Sequence, residues 1–115
     1  MRPSADEFLP LQPAMLHILL ALAGEKLHGY GIMQEILRQS EGRVDLGPGT
    51  LYDNLQRLLK QRLVEETSGP RDEPNSRRRY YRLSSLGRAV LTAEITRLDT
   101  VVHEGAMKLQ LPRRA

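Results

Sequence analysis

A mainly α-helical chain with one small β-hairpin follows from three features of the sequence. Two short helical runs precede a third, Leu46 to Glu66, which opens on glycine and proline and ends in a β-like segment. Two β-like segments, Leu63 to Thr67 and Arg79 to Leu83, flank a polar loop that contains proline. Ser84-Ser85-Leu86-Gly87 then restarts a helix, and from there the pattern runs to about Leu109 with no breaker except Gly105. Two helices, a turn, a third helix and a hairpin make a helix-turn-helix with a wing, followed here by one long helix.

The order of elements divides the chain into residues 1–84, a winged helix-turn-helix with an N-terminal arm, and residues 85–115, a C-terminal helix and tail. A hydrophobic content of 40% supports a small core, of the size that gains from a partner chain. The absence of Cys excludes disulfides and thiolate metal sites and suits a reducing cytoplasm. The longest apolar run, Met15 to Ala23, contains His17 and is too short to span a membrane. Asp6 and Glu7 stand where a signal peptide needs apolar residues. The expectation is a cytoplasmic protein with no membrane partner.

Residues Met1 to Leu11 form an arm anchored by Phe8 and Leu9. Pro13 fits the first turn of a helix, since its missing N–H would be unpaired there anyway. Met15, Leu16, Ile18, Leu19, Leu20, Leu22 and Ala23 make that helix apolar on most sides, so it belongs in the core or between two chains, and Gly24 ends it. Leu27 to Gly31 reads as a turn into a second helix, with Ile32, Ile36 and Leu37 inward and Gln34, Glu35 and Arg38 outward. Ser40 to Arg43 stops it.

The third helix starts at Pro48. Leu51, Leu55, Leu58, Leu59 and Arg62 fall on one face, of which only Arg62 is not apolar. Asp53, Gln56, Arg57 and Lys60 occupy the other, with side chains suited to base edges or phosphate. Tyr80 and Tyr81 are adjacent in a strand and so point to opposite faces, one into the core and one toward solvent or phosphate. Ser84 or Ser85 caps the last helix. Along it Leu91, Ile95, Leu98, Val102, Ala106 and Leu109 step by four and three, a coiled-coil-like seam that needs another helix to cover it.

The net charge is only +3, but the basic residues are mostly arginine, and Arg77, Arg78 and Arg79 fall together at the end of the hairpin loop. Beside a polar helix face, such arginines reach phosphates or a minor groove, where isolated they would be an ordinary solvated patch. Pro48, Gly49 and Thr50 open a helix N-terminus that can face a DNA phosphate, and they lack the lysine of a nucleotide-binding loop. Tyr30 and Tyr52 lie near helix starts, where a tyrosine either packs or hydrogen-bonds a phosphate. His17, His28 and His103 have no metal-ligand spacing, and neither a nucleophile motif nor a catalytic carboxylate pair is present. No metal, cofactor or enzymatic activity is expected.

The chain resembles the PadR family of transcriptional regulators. The resemblance rests on His28-Gly29-Tyr30-Gly31-Ile32 and on Gly49-Thr50-Leu51-Tyr52 with Leu55, Leu58 and Leu63-Val64. It continues through Arg79-Tyr80-Tyr81-Arg82-Leu83-Ser84 and Gly87. It implies a winged helix-turn-helix, a C-terminal dimerisation helix and repression at an operator with two-fold symmetry. The single C-terminal helix is that of the short subfamily. Many relatives release DNA on binding phenolic acids, drugs or other small aromatics, which makes a small aromatic effector a further expected partner. Relatives that grip flat drugs at the dimer interface can use tryptophan, and this chain has none.

The resulting expectation is a homodimeric repressor of double-stranded operator DNA. Thr50, Asp53, Gln56, Arg57 and Lys60 would meet the major groove, with Gln56 and Arg57 reading bases. Lys60 would meet phosphate, and Asp53 would accept from cytosine or orient Arg57. Tyr30 and the wing arginines would grip the backbone and adjacent minor groove. Leu16, Leu20, Leu91, Ile95, Leu98, Val102 and Ala106 would form the dimer contact. The alternative is a winged helix that binds another protein and no DNA.

Overall fold

The computed structural model describes residues 4–70 and 78–112. A short 3-10 turn, Ala5–Phe8, leads into α1 (Pro13–Gly24), β1 (Leu27–His28), α2 (Gly29–Gln39), α3 (Pro48–Lys60), β2 (Val64–Thr67), β3 (Tyr80–Leu83) and α4 (Ser85–Leu109). The strands form one antiparallel sheet in the order β1-β3-β2. The first of them is a departure from the sequence reading. Leu27 and His28, expected in a turn, pair with Tyr81 and Tyr80 across the chain.

The apolar spacing places one core. Ile18, Leu19 and Leu22 of α1, Ile32 and Ile36 of α2, and Leu51, Leu55 and Leu58 of α3 are all buried in it. Pro13 and Pro48 both stand in the first turns of their helices, as their fixed φ favours. Arg62 is not on the α3 face. It takes φ +61 just beyond the helix and is exposed. Its N–H donates to the Leu59 carbonyl, and the Leu63 N–H donates to that of Leu58. This is a Schellman closure with the hydrophobic pair Leu58 and Leu63 beneath it, and it turns the chain sharply from α3 into β2.

Ser84 joins the wing to α4. Its Oγ accepts from the Gly87 N–H at 2.9 Å as the N-cap and donates to the Arg62 carbonyl at 2.6 Å. Gly87 must be bare, because a Cβ there would lie 1.9 Å from the Leu63 carbonyl oxygen. The first turns of α4 thereby press against the end of α3.

The apolar stripe of α4 then has two fates. Val90 and Leu91 are buried in the chain's own core, Leu91 at 6% exposure. Further along, Ile95, Val101, Val102 and Leu109 continue the same side of the helix and are exposed. At 25 residues, or roughly 37 Å at 1.5 Å per residue, α4 outruns the core. The radius of gyration, 15.6 Å, exceeds the roughly 13 Å of a compact chain this long for the same reason. Among the described residues no helix is long and apolar enough to cross a membrane.

The arm is fastened to α4 by a buried acid. Glu94 is fully buried, and its Oε2 accepts from the Leu11 backbone N–H at 2.7 Å. Its other oxygen accepts from Arg97 Nε one turn on. The Arg97 hydrogen bond holds the Glu94 carboxyl below its usual pKa, against burial, and the Leu11 amide adds to the lowering.

Candidate nucleic-acid interface

With Leu51, Leu55 and Leu58 turned inward, rotation by about 100° per residue fixes where the other α3 side chains point. Gly49, Asp53 and Lys60 take the side opposite the core, and all three are exposed. Tyr52 and Gln56 stand on the flank toward the wing, where both line a cleft of about 360 Å³ with Tyr30, Arg78, Arg79 and Tyr81. Arg57 lies on the opposite flank with Thr50. Together with Gln61 it borders a second cleft of about 440 Å³ against Phe8, Pro10 and Met15 of the arm side. The two side chains expected to read bases therefore sit on opposite edges of the exposed face. Asp53 and Arg57 make no ion pair with each other among the described residues.

The two tyrosines near helix starts differ. Tyr30, in the first turn of α2, is 62% exposed. Tyr52 is partly open, but its ring tip is packed on α2, where a Cβ on Gly29 would fall 2.3 Å from the Tyr52 hydroxyl oxygen. The bare Gly29 lets α3 approach the N-terminus of α2 this closely. Pro48, Gly49 and Thr50 are all exposed at the start of α3, whose N-cap Gly47 supplies no side-chain hydrogen bond.

On the wing, Arg77 lies outside the described residues. Arg78 and Arg79 are exposed. Arg79 stands 3.7 Å from Glu66, and Arg82 3.1 Å from Glu65, which faces it in the sheet register. Arg82 is therefore tied to its own sheet. The Lys26 ammonium donates to the Ser68 carbonyl at 2.8 Å and fixes the root of the wing.

The expectation that one of Tyr80 and Tyr81 reaches solvent is not met: both are buried, at 7% and 3% exposure. They do point to opposite faces, but both faces are covered. Tyr81 enters the main core. Tyr80 packs edge-on against the His28 ring, with centroids 5.2 Å apart, and its ring lies against Gly69. Burial, with the Glu66 carboxylate and Tyr52 nearby, pushes the Tyr81 phenol up from its ordinary pKa against the pull of Arg79. It stays protonated at neutral pH.

Two residues with a clear role in this geometry were not singled out by the sequence as binding or anchoring groups. His28 caps α2, its Nδ1 accepting from the Gly31 N–H at 3.0 Å, and it touches Arg78 of the wing. Glu94 holds the arm. A histidine directly before Gly-Tyr-Gly at a helix start was the available sign for the first. No local pattern marks the second, whose partner amide is 83 residues away.

Residues 18–93 match the transcriptional regulator PadR-like family. The chain is 36% identical over 89 residues to the transcriptional regulator Rv3488 of Mycobacterium tuberculosis, a match covering 77% of this chain and 78% of that one. Among solved structures it is similar to a PadR-like transcriptional regulator from Bacillus cereus, with a TM-score of 0.72, 22% identity, and coverage of 85% of this chain and 92% of that one. It is similar in fold also to Bacillus subtilis PadR in complex with operator DNA, with a TM-score of 0.62, 17% identity, and coverage of 75% and 48%. The winged fold, the exposed third helix and the family match agree: the chain belongs to the PadR-like family, whose members are transcriptional regulators rather than enzymes.

Proposed function

We propose that this protein is a homodimeric repressor that binds a two-fold symmetric operator, with α3 in the major groove and the wing on the adjacent backbone and minor groove. The observation that carries this reading is the exposed face of α3, flanked on one side by the cleft that gathers Tyr30, Gln56, Arg78 and Arg79. The Bacillus subtilis relative, solved on operator DNA, supports placing DNA there. Asp53 and Lys60 would lie deepest, Gln56 and Arg57 on the two edges of the helix, and Thr50 near its start. Gly49 and Pro48 leave room for a phosphate at the helix N-terminus. Two copies would meet through the far end of the α4 stripe, the exposed Ile95 and Val102 and the half-buried Leu98 and Ala106, with the half-buried Leu16 and Leu20 of α1 adding to it. Release of DNA by a small aromatic effector enters the proposal through the family resemblance, and a cytoplasmic location is proposed with the DNA target.

A competition of operator variants, run at one fixed salt concentration, tests the base-reading part. Gln56→Ala and Arg57→Ala should each lose preference at particular base pairs, by ~1–3 kcal/mol for a bidentate contact, and keep non-specific binding. A uniform loss over all variants would restrict both side chains to positioning the helix. Failure of the wild type to bind any duplex would favour the protein-interaction alternative.

A further inference from the structure

Resting on the DNA-binding reading above, we propose that His28 is a phosphate ligand. Its Nε2–H and the Arg78 guanidinium together hold one phosphodiester oxygen at the mouth of the cleft between α2, α3 and the wing.

Proton counting at one ring leads to this assignment. The Gly31 amide lies 3.0 Å from His28 Nδ1 and can only donate. Nδ1 therefore offers its lone pair, and the proton of a neutral imidazole is on Nε2. Arg78 Nη1 stands 3.1 Å from that Nε2. A guanidinium has no lone pair to offer, so the two groups meet as donor against donor. The other tautomer only moves the conflict to the Gly31 amide and removes the cap of α2. Nor does the ring turn away freely, since Tyr80 meets it edge-on at 83° and Tyr30 lies parallel to within 16°.

An anionic oxygen that draws the exposed Arg78 head group back from the ring accepts from both donors at ordinary hydrogen-bond distances and resolves the conflict. The surroundings favour such an ion. The first turn of α2, with its partial positive charge, opens on the same cleft. No carboxylate lines the cleft among the described residues, and Glu66 beside it is engaged by Arg79. The cleft adjoins the exposed face of α3 through Gln56. An ion there is thus within reach of a duplex that α3 enters, which selects a backbone phosphate over a free one.

The test measures affinity for an operator fragment and for a random duplex across salt concentration, using wild type, His28→Asn, Arg78→Ala and the double variant. Asn keeps an oxygen for the α2 cap but is too short to present an N–H at the Nε2 position. His28→Asn should weaken both duplexes about tenfold, the scale of a hydrogen bond to a charged group, with the salt slope unchanged because the lost donor is neutral. Arg78→Ala should lower the slope by ~0.9. The double variant should lose less than the product of the single losses, because both groups serve one phosphate. Wild-type affinity for His28→Asn, or single losses that multiply in full, would leave His28 only its capping role and overturn the inference. A wild type that binds neither duplex would overturn the DNA reading itself, and the inference with it.

A second readout uses the unaltered protein. The His28 Nε2–H resonance, followed by NMR with ¹⁵N-labelled histidine, should move downfield on adding duplex, and an unmoved resonance refutes the assignment. Inorganic phosphate, matched in ionic strength with chloride, should not reproduce the shift. If it does so at millimolar concentration, the ligand is a free phosphate and the assignment to DNA fails.

Discussion

Replacing Glu94 tests how the arm is attached to the helix that leaves the core. The carboxylate is fully buried and satisfies two donors, the Leu11 amide at 2.7 Å and Arg97. Glu94→Ala removes both bonds. A hydrogen bond to a charged group contributes about 1.5–3 kcal/mol. The Arg97 side chain is 40% exposed and falls back on water when its partner is lost, so its share is that of a surface pair. The net loss should then be about 2–3 kcal/mol, which lowers the unfolding midpoint by roughly 10 °C or more for a domain of this size. Glu94→Gln keeps an oxygen for Leu11 and should cost about half as much. The acid response separates charge from packing. Folding lowers the Glu94 carboxyl below its ordinary value of 4.5, so in acid the unfolded chain binds the extra proton. This contribution is complete above the unfolded value and is lost as pH falls through the folded one. Glu35, lowered mainly by its hydrogen bond to Arg38, acts in the same sense and cancels in a comparison of variants. The assay is thermal unfolding of wild type and Glu94→Gln between pH 3 and 7, on the order of the range where a carboxylate titrates, at one protein concentration. The gap between the two curves should close as pH falls. A gap that is constant over the whole range would mean that the Glu94 charge does not hold the arm.

Three further outcomes follow from the same geometry. Leu98→Asp, and Val102→Asp at a position 56% exposed in the single chain, should convert a dimer to a monomer in sedimentation. Each buried large side chain should stabilise the contact by roughly 1.5–3 kcal/mol, so a folded wild-type monomer at micromolar concentration refutes the dimer. Gly87→Ala should destabilise by about 1–3 kcal/mol, because the added methyl meets the Leu63 carbonyl; a midpoint equal to wild type would show that α4 does not press on that turn. Changing Arg77, Arg78 and Arg79 together to Ala should flatten the plot of log K against log salt by up to ~3, near 0.9 per lost phosphate contact, and an unchanged slope would mean that the wing stays clear of DNA.

The elements that are legible in the sequence are those whose signal is local. The period of Leu51, Leu55 and Leu58, with Gly47 and Pro48 before them, marks α3 and its start within a residue. Ser84 as a cap marks α4 in the same way. What escapes the sequence depends on distant partners. β1 is two residues long and exists because β3 offers it an edge more than fifty residues on. Tyr80 is buried because that same pairing brings His28 beside it. Arg62 follows the helical period, yet its backbone turns left-handed to close α3 over Leu58 and Leu63. The apolar stripe of α4 is continuous in sequence, and only the end of the core decides that Leu91 is inside and Ile95 is not. For the candidate interface, rotation alone shows that Gln56 and Arg57 are outward. That one faces the wing and the other the arm depends on what packs beside α3.

The most direct test of the account is a footprint of the purified protein on the promoter DNA that precedes its own coding region. A dimer with α3 in the major groove should protect two half-sites related by two-fold symmetry. Their centres should lie one helical turn, roughly 34–36 Å, or a small multiple of it apart. Protection should vanish with Leu98→Asp and weaken steeply as salt is raised. A single unpaired protected segment that persists in the monomeric variant, or no protection at low salt, would contradict the account.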